Sequence, residues 1–212
     1  MITPTRTKLK TEDRQAELVQ AALTLAAQRS PAEITTGDLA QAIGITQGGV
    51  FKHFESKESI WLAVVDWAHQ SLINRLQQVA QAQPGNAMHA LRDVFMAHIE
   101  FVEQSPGVPR LIFQELQHAR PTPLKGKVQK LMAEYRALLA SLLARASEDG
   151  QLAPGVDTNA AAVLFIGAVQ GLVVQSLVAG GMQGITRQAQ AVFSIYEAGL
   201  LAVPKPPARK HQ

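Results

Sequence analysis

Between Thr35 and Lys57 the sequence reads TTGDLAQAIGITQGGVFKHFESK, and this stretch restricts the fold most because it signals helix starts and stops repeatedly. Thr35 is placed to cap a first helix, with Asp38 three residues on as the reciprocal partner of a capping box. Ile34 before the cap and Leu39 inside the helix pair as a hydrophobic staple. Gly44 supplies the left-handed residue that ends this helix. Thr46 caps a second helix, where Ile45 and Val50 repeat the staple. Ser56 caps a third, with Glu58 favourably placed in its first turn. Two short helices joined by about four residues around a glycine predict a helix-turn-helix, whose second helix lies in the DNA major groove.

The run from Thr46 through Gln47, Gly48, Gly49, Val50, Phe51, Lys52, His53 and Phe54 to Ser56-Lys57-Glu58 resembles the DNA-binding domain of the TetR family of transcriptional repressors. The shared pattern is a small capping residue, a glycine, an aromatic, His-Phe, then Ser-Lys-Glu. The match of motifs covers roughly Gln15 to Trp67; beyond it only length and helical layout agree. Phe51 stands where the family usually has Tyr, so no hydroxyl is available there for a phosphate contact. The resemblance implies an all-α fold, with an N-terminal three-helix head joined by a long helix to a bundle that binds a ligand and dimerises. The expected division is a flexible basic arm at 1–11, a DNA-binding domain at 12–58, a ligand-binding and dimerisation domain at 59–202, and a disordered tail at 203–212.

Composition agrees with a well-packed chain, since 47% of its residues are hydrophobic and only 17% charged. The absence of cysteine excludes disulfides and thiolate metal sites and accords with a reducing, cytoplasmic setting. A net charge of +3 does not by itself announce a nucleic-acid binder. Placement is more informative. The first ten residues hold Arg6, Lys8 and Lys10 with no acid, and Thr46–Phe54 holds Lys52 and His53 with no acid. No apolar run opens the chain, so no signal peptide is expected. From Thr158 to Thr186 no charge occurs, and the segment is long enough to span a bilayer. Gln170, Gln175, Ser176 and the lack of aromatic or basic anchors argue instead for a helix buried in a bundle or a dimer.

Apolar periodicity and punctuation predict about nine helices. The first runs from about Glu12 to Arg29, and the fourth from Lys57 to about Gln81, long enough to belong to both halves of the molecule. A fifth covers about Ala87 to Gln104 and stops at Ser105-Pro106-Gly107. A short sixth runs from about Pro109 to His118, the seventh from Leu124 to Glu148, the eighth from the cap at Asp157 or Thr158, and the ninth from Ile185 to Leu201. Leu39, Ala42, Ile43, Val50, Phe51 and Phe54 are expected to close the small core of the head.

Within the head, Gly48 and Gly49 suit close approach of backbone to DNA, or mark a loose first turn. Thr46 starts the reading helix, and Gln47, Lys52 and His53 are placed to reach bases or phosphates, Gln suiting adenine and Lys suiting guanine or phosphate. Thr36 and Lys57 sit at helix N-termini, which favour phosphate; the family resemblance implies the same. Phe51 is expected mainly in the core, with a grazing contact to phosphate or sugar. The basic arm either enters a minor groove or solubilises the chain.

For the body, the resemblance implies a pocket for a small organic effector, for which Phe95, His98, Phe113, Gln117, Met132, Tyr135, Phe165 and Gln170 are candidate lining residues. Gly167 and Gly171 permit close helix approach, and Val174, Leu177, Val178, Phe193 and Tyr196 complete an expected homodimer interface. Together these readings imply a repressor of a palindromic double-stranded operator. No metal, cofactor or catalytic residue is expected. Glu115 and His118 have a spacing used in carboxylate metal bundles, but only Asp66 and His69 echo it. No nucleophile triad, phosphate loop or dinucleotide fingerprint is found. A helical-bundle carrier or enzyme for an apolar small molecule is the alternative reading.

Overall fold

A computed structural model describes residues 10–201 of the chain. The basic arm with Arg6 and Lys8 and the tail at 203–212 lie outside the described residues; Lys10 is exposed beside the first helix. Among the described residues there are nine α-helices, a short 3-10 turn at Pro31–Glu33 and a single isolated antiparallel bridge between Leu152 and Leu201. The helices are α1 Thr11–Gln28, α2 Thr36–Ala42, α3 Gln47–Val50, α4 Lys57–Gln81, α5 Ala87–Gln104, α6 Gly107–Leu116, α7 Pro123–Glu148, α8 Thr158–Val178 and α9 Ile185–Leu200.

The chain forms two compact units. One comprises residues 10–71 together with Gln104–Met132; the other comprises Leu72–Glu103 together with residues 133–201. The first unit therefore holds more than the expected head. It also takes in α6, the first half of α4 and the start of α7.

In the first unit, Leu18, Ala22, Ile34, Leu39, Val50 and Ile60 are buried and form the apolar interior. α6 lies tightly on α1. A Cβ at Gly107 would stand 2.4 Å from the Leu23 carbonyl oxygen and 3.1 Å from Ala26 Cβ, so a glycine is required there for close approach. The sequence suggested that Gly107 was only punctuation and that α6 began later. The structure corrects this: Gly107 is the first residue of α6, and its missing side chain lets two helices touch.

In the second unit the interior is aromatic. Phe165 stacks edge-on with Phe95 at 5.1 Å, Tyr196 at 5.5 Å, Tyr135 at 6.3 Å and Phe193 at 6.4 Å between ring centroids. Such perpendicular pairs bring the positive ring edge onto the negative face. The Tyr196 hydroxyl donates to the Ala161 carbonyl at 3.1 Å, satisfying a polar atom that burial would otherwise penalise. Burial also raises the Tyr135 and Tyr196 pKa values, so both phenols stay protonated. Asp157 caps α8 by accepting from the Asn159 and Ala160 amides.

Candidate nucleic-acid interface and effector-binding body

The helix-turn-helix is held by polar side chains at its corners. Thr35 Oγ1 accepts from the Asp38 amide at 3.1 Å while Asp38 Oδ2 accepts from the Thr35 amide at 2.7 Å, closing the capping box. The Thr35 backbone and hydroxyl donors, followed by Arg29 at 3.0 Å, hold the Asp38 carboxyl down to about 2. Gly44 ends the segment after α2 with φ 65°. Thr46 Oγ1 accepts from the Gly49 amide at 3.1 Å, and the Ser56 and Ser59 hydroxyls each accept from the other's amide to start α4.

α3 keeps α-helical bonding for only one turn. Beyond Val50 the chain tightens, with the His53 amide donating to the Val50 carbonyl at 2.9 Å. Val50 and Phe54, four apart, point inward and are buried. Phe51, one residue round the helix, points outward and is 49% exposed. The expected core position of Phe51 is thus overturned: the inward stripe is filled by its neighbours. Ala42 is exposed as well, and Ala42 and Ile43 line an open groove beside α1 rather than a closed core.

Thr46, Gln47, Gly48, Phe51 and Lys52 are exposed along one edge, and Gly49, His53 and Lys57 are half-buried. Gly48 has no positive φ, and a Cβ added there meets nothing within 4 Å. Neither conformation nor internal packing demands a glycine at 48. Thr36 is buried, and its hydroxyl accepts from the Gln47 side-chain amide at 2.8 Å. Lys57 Nζ donates to the Ala32 carbonyl at 3.0 Å, so its amine is turned onto the head itself. His53 is tied through its carbonyl, which accepts from Gln15 Nε2 at 2.8 Å, and its Nδ1 is buried without a partner.

One polar joint escaped sequence reasoning. Gln114 on α6 accepts from the Ala32 amide at 3.1 Å and from Ser30 Oγ at 3.3 Å. The Ala32 peptide is therefore gripped on both sides, by Gln114 at its N–H and by Lys57 at its carbonyl. A lone Gln on an amphipathic helix gives no sequence signal for a partner 82 residues away.

The candidate pocket residues are divided between the two units. Phe113, Gln117 and Met132 belong to the first unit; Phe95, His98, Tyr135, Phe165 and Gln170 belong to the second. Phe95, His98, Tyr135 and Phe165 are brought together. His98 Nδ1 lies 3.0 Å from the Tyr135 hydroxyl with the rings edge-to-face, and burial holds the imidazole down to about 4, so it is neutral at physiological pH. Gln117 is exposed at the end of α6. Gln170 was expected to face inward, but the helical period aligns it with Val163, Gly167 and Val174 on the exposed side of α8.

That exposed side is strongly apolar. Val178 is 84%, Val163 68% and Leu164 58% exposed on α8, and Ile195 is 75% exposed on the adjoining α9. Gly167 and Val174 lie in the same stripe, with Gly171 and Leu177 half-buried at its border. Phe193 and Tyr196, expected at a subunit interface, are instead buried in the chain's own aromatic interior, because α9 turns them toward Phe165. Ile195, Val163 and Leu164 replace them on the open face. α8 is long and apolar enough to cross a membrane, with 44% of its most apolar window buried.

Glu115 is buried and accepts from the Thr122 hydroxyl, with His118 Nε2 3.8 Å away. Asp66 is paired with Lys127 at 2.6 Å. Among the described residues no three His, Asp or Glu side chains converge as a metal site would require.

The family model for bacterial regulatory proteins of the tetR family matches residues 18–64, and that for tetracyclin repressor-like C-terminal domains matches residues 112–192. The nucleoid occlusion factor SlmA of Marinomonas sp. (strain MWYL1) is 22% identical over 162 residues, which cover 76% of this chain and 82% of SlmA. Among solved structures, the ketosteroid transcriptional regulator KstR2 of Mycobacterium tuberculosis has a TM-score of 0.76 at 22% identity, covering 90% of this chain and 96% of KstR2. The transcriptional regulator FadR from Bacillus subtilis, solved with stearoyl-CoA, has a TM-score of 0.75 at 17% identity, covering 87% of this chain and 98% of FadR. Head and body are matched by two models of one kind, and the corners of the head are closed as a helix-turn-helix requires: the chain belongs to the TetR family and is a DNA-binding transcriptional regulator.

Proposed function

We propose that this regulator is a cytoplasmic homodimeric repressor that binds a palindromic operator and is released from it by a small organic effector. The observation that carries the reading is the exposed edge from Thr46 to Lys52 with its glycine at position 48. A glycine in a helix costs on the order of 1 kcal/mol relative to alanine, and nothing among the described residues offsets that cost at Gly48. An external surface that approaches the backbone closely gives it a reason. Gln47 and Lys52 then reach bases or phosphates, and Phe51 lies against sugar or phosphate in place of the usual Tyr.

Two copies pair through the open apolar face of α8 and α9, since a soluble monomer rarely leaves so continuous a patch uncovered. Pairing two heads on a two-fold axis is what makes an inverted repeat the matching operator. The effector reading draws support from the fold neighbour FadR, which was solved with an amphiphilic ligand. Release requires only that the effector bind the DNA-free geometry more tightly than the DNA-bound one.

Selection of bound duplexes from a random-sequence pool tests the proposal. The expected result is enrichment of an inverted repeat, bound by a dimer with affinity that falls steeply as salt rises. No enriched sequence, or unchanged affinity after Lys52→Ala together with His53→Ala, counts against it. Glu substitutions at Val174 and Val178 are expected to yield monomers by light scattering.

A further inference from the structure

Within the first unit an open cavity of about 320 Å³ lies between the 3-10 turn, the start of α4, α6 and the start of α7. That volume is at the lower end of those that hold small molecules. Pro31, Trp61, Leu111 and Leu124 supply its apolar wall, and Lys57, Glu58, Glu115 and His118 interrupt it. Lys57 is engaged by the Ala32 carbonyl, and Glu58 is exposed. Glu115 differs from both. Its side chain is only 9% exposed, and one oxygen, Oε1, accepts from the Thr122 hydroxyl. The other, Oε2, accepts no hydrogen bond among the described residues: His118 Nε2, at 3.8 Å, stands beyond hydrogen-bonding reach. No lysine or arginine among the described residues pairs with it.

The free oxygen is within reach from outside. Among the described residues, the unpartnered side-chain atoms sealed from solvent are His53 Nδ1 and Arg110 Nε, and Glu115 Oε2 is not one of them. The open space that the Glu115 side chain borders is this cavity. A largely buried carboxylate bonded through one oxygen is incompletely compensated. A positively charged N–H donor would supply the missing hydrogen bond and the missing counter-charge together. The charges of Lys57 and Glu58 cancel in sum, which leaves Glu115 to set the sign of the cavity. Trp61, itself 7% exposed, adds an indole to the wall, a surface that favours both a nearby cation and an apolar body.

We propose that this cavity takes a small organic amine in its protonated form, the ammonium donating to Glu115 Oε2 and the apolar body lying against Trp61 and Leu111. The inference rests on the reading of the chain as an effector-controlled regulator, and it names the chemistry and the place of that effector. The same cavity is bordered by Ala32, Lys57 and Gln114, the three residues of the joint that grips the Ala32 peptide. A cation held there repels the Lys57 amine from the Ala32 carbonyl. It therefore loosens the joint between α6, α4 and the turn that leads into α2.

The test uses the full-length protein and thermal unfolding with phenethylamine, hexylamine and cyclohexylmethylamine, each beside its neutral alcohol. The wild type is expected to gain at least about 2 °C with one or more amines and nothing with the matching alcohol. Glu115→Gln keeps an acceptor for Thr122 and removes the charge, so it should weaken the effective amine by roughly tenfold to a hundredfold. Glu12→Gln, at an exposed acid of the same unit, should leave amine affinity unchanged. Trp67→Phe leaves Trp61 as the sole tryptophan, and its emission should change as the effective amine is added. That readout does not depend on the Glu115 variant folding. The proposal is overturned if no amine stabilises the wild type, if alcohols match their amines, or if Glu115→Gln retains full affinity. It also fails if Trp61 emission ignores an amine that stabilises the protein. Operator binding is measured in parallel, and the effective amine should weaken the selected duplex for wild type but not for Glu115→Gln. A wild type that binds its selected duplex but ignores every amine overturns this inference alone. One that takes an amine through Glu115 yet selects no duplex overturns the operator reading instead.

Discussion

The corners of the helix-turn-helix are set by hydroxyls, carboxylates and amides at helix ends, whereas the second unit closes around Phe95, Tyr135, Phe165, Phe193 and Tyr196 with only a few hydrogen bonds among them. Caps act between residues a few positions apart and fix the direction of a chain. Aromatic packing acts between residues far apart in sequence and fixes volume. The first arrangement suits a surface that must present backbone and side chains to an outside partner at a set angle. The second suits an interior that must exclude water, and it leaves the outer face of α8 and α9 apolar and open.

The largest expected effect lies in the aromatic interior. Phe165→Ala should cost about 3–5 kcal/mol in urea denaturation, since it removes the ring that contacts four others. A loss comparable to that of an exposed substitution would show that the cluster does not hold the second unit. Gly107→Ala should cost about 1–3 kcal/mol through overpacking against the Leu23 carbonyl, and it should weaken operator binding if α6 seats the head. Thr35→Ala removes a cap and should cost about 1 kcal/mol, far less than the ring.

Acid separates the two regions further. Asp38 has a folded pKa lowered from 3.8 to about 2, so its stabilising contribution is complete above the ordinary carboxylate range and fades as pH falls through it toward 2. Asp38→Asn should remove that part of the acid dependence. His98 is also lowered, from 6.5 to about 4, but with the opposite charge sense. Between these values the unfolded ring takes a proton that the folded ring refuses, so stability falls as pH drops from 6.5 toward 4. His98→Gln should flatten the curve in that interval, as read by urea midpoints from pH 7 to 4.5. The smallest effect is expected at Gly48. Gly48→Ala should leave stability unchanged or raise it by up to about 1 kcal/mol while weakening the selected duplex; unchanged duplex affinity would remove the principal support for the reading edge.

Much of the head was legible in the sequence because capping chemistry is local. Thr35, Asp38, Gly44, Thr46 and Ser56 each stand where the helix boundaries fall, and α4 and α5 begin and end at the positions their breakers mark. The side-chain directions were less legible. Phe51 and Gln170 were misplaced because hydrophobicity and polarity alone do not settle which way a residue faces when a neighbour one step away fills the inward stripe. Phe193 and Tyr196 were apolar enough for an interface and equally suited to a core.

The sequence by itself determined that this chain is all-helical, where its head turns, and which residues resemble a DNA-reading edge, because those properties follow from period, caps and glycine positions within a few turns. Only the tertiary structure decided that α6 belongs with the head through Gly107 and Gln114, that Thr36 and Lys57 are bonded within the head, and that Glu115 borders one cavity with Trp61 and Lys57. These are meetings of residues separated by long stretches of chain. No local pattern encodes them, because their energy arises only when distant helices have packed.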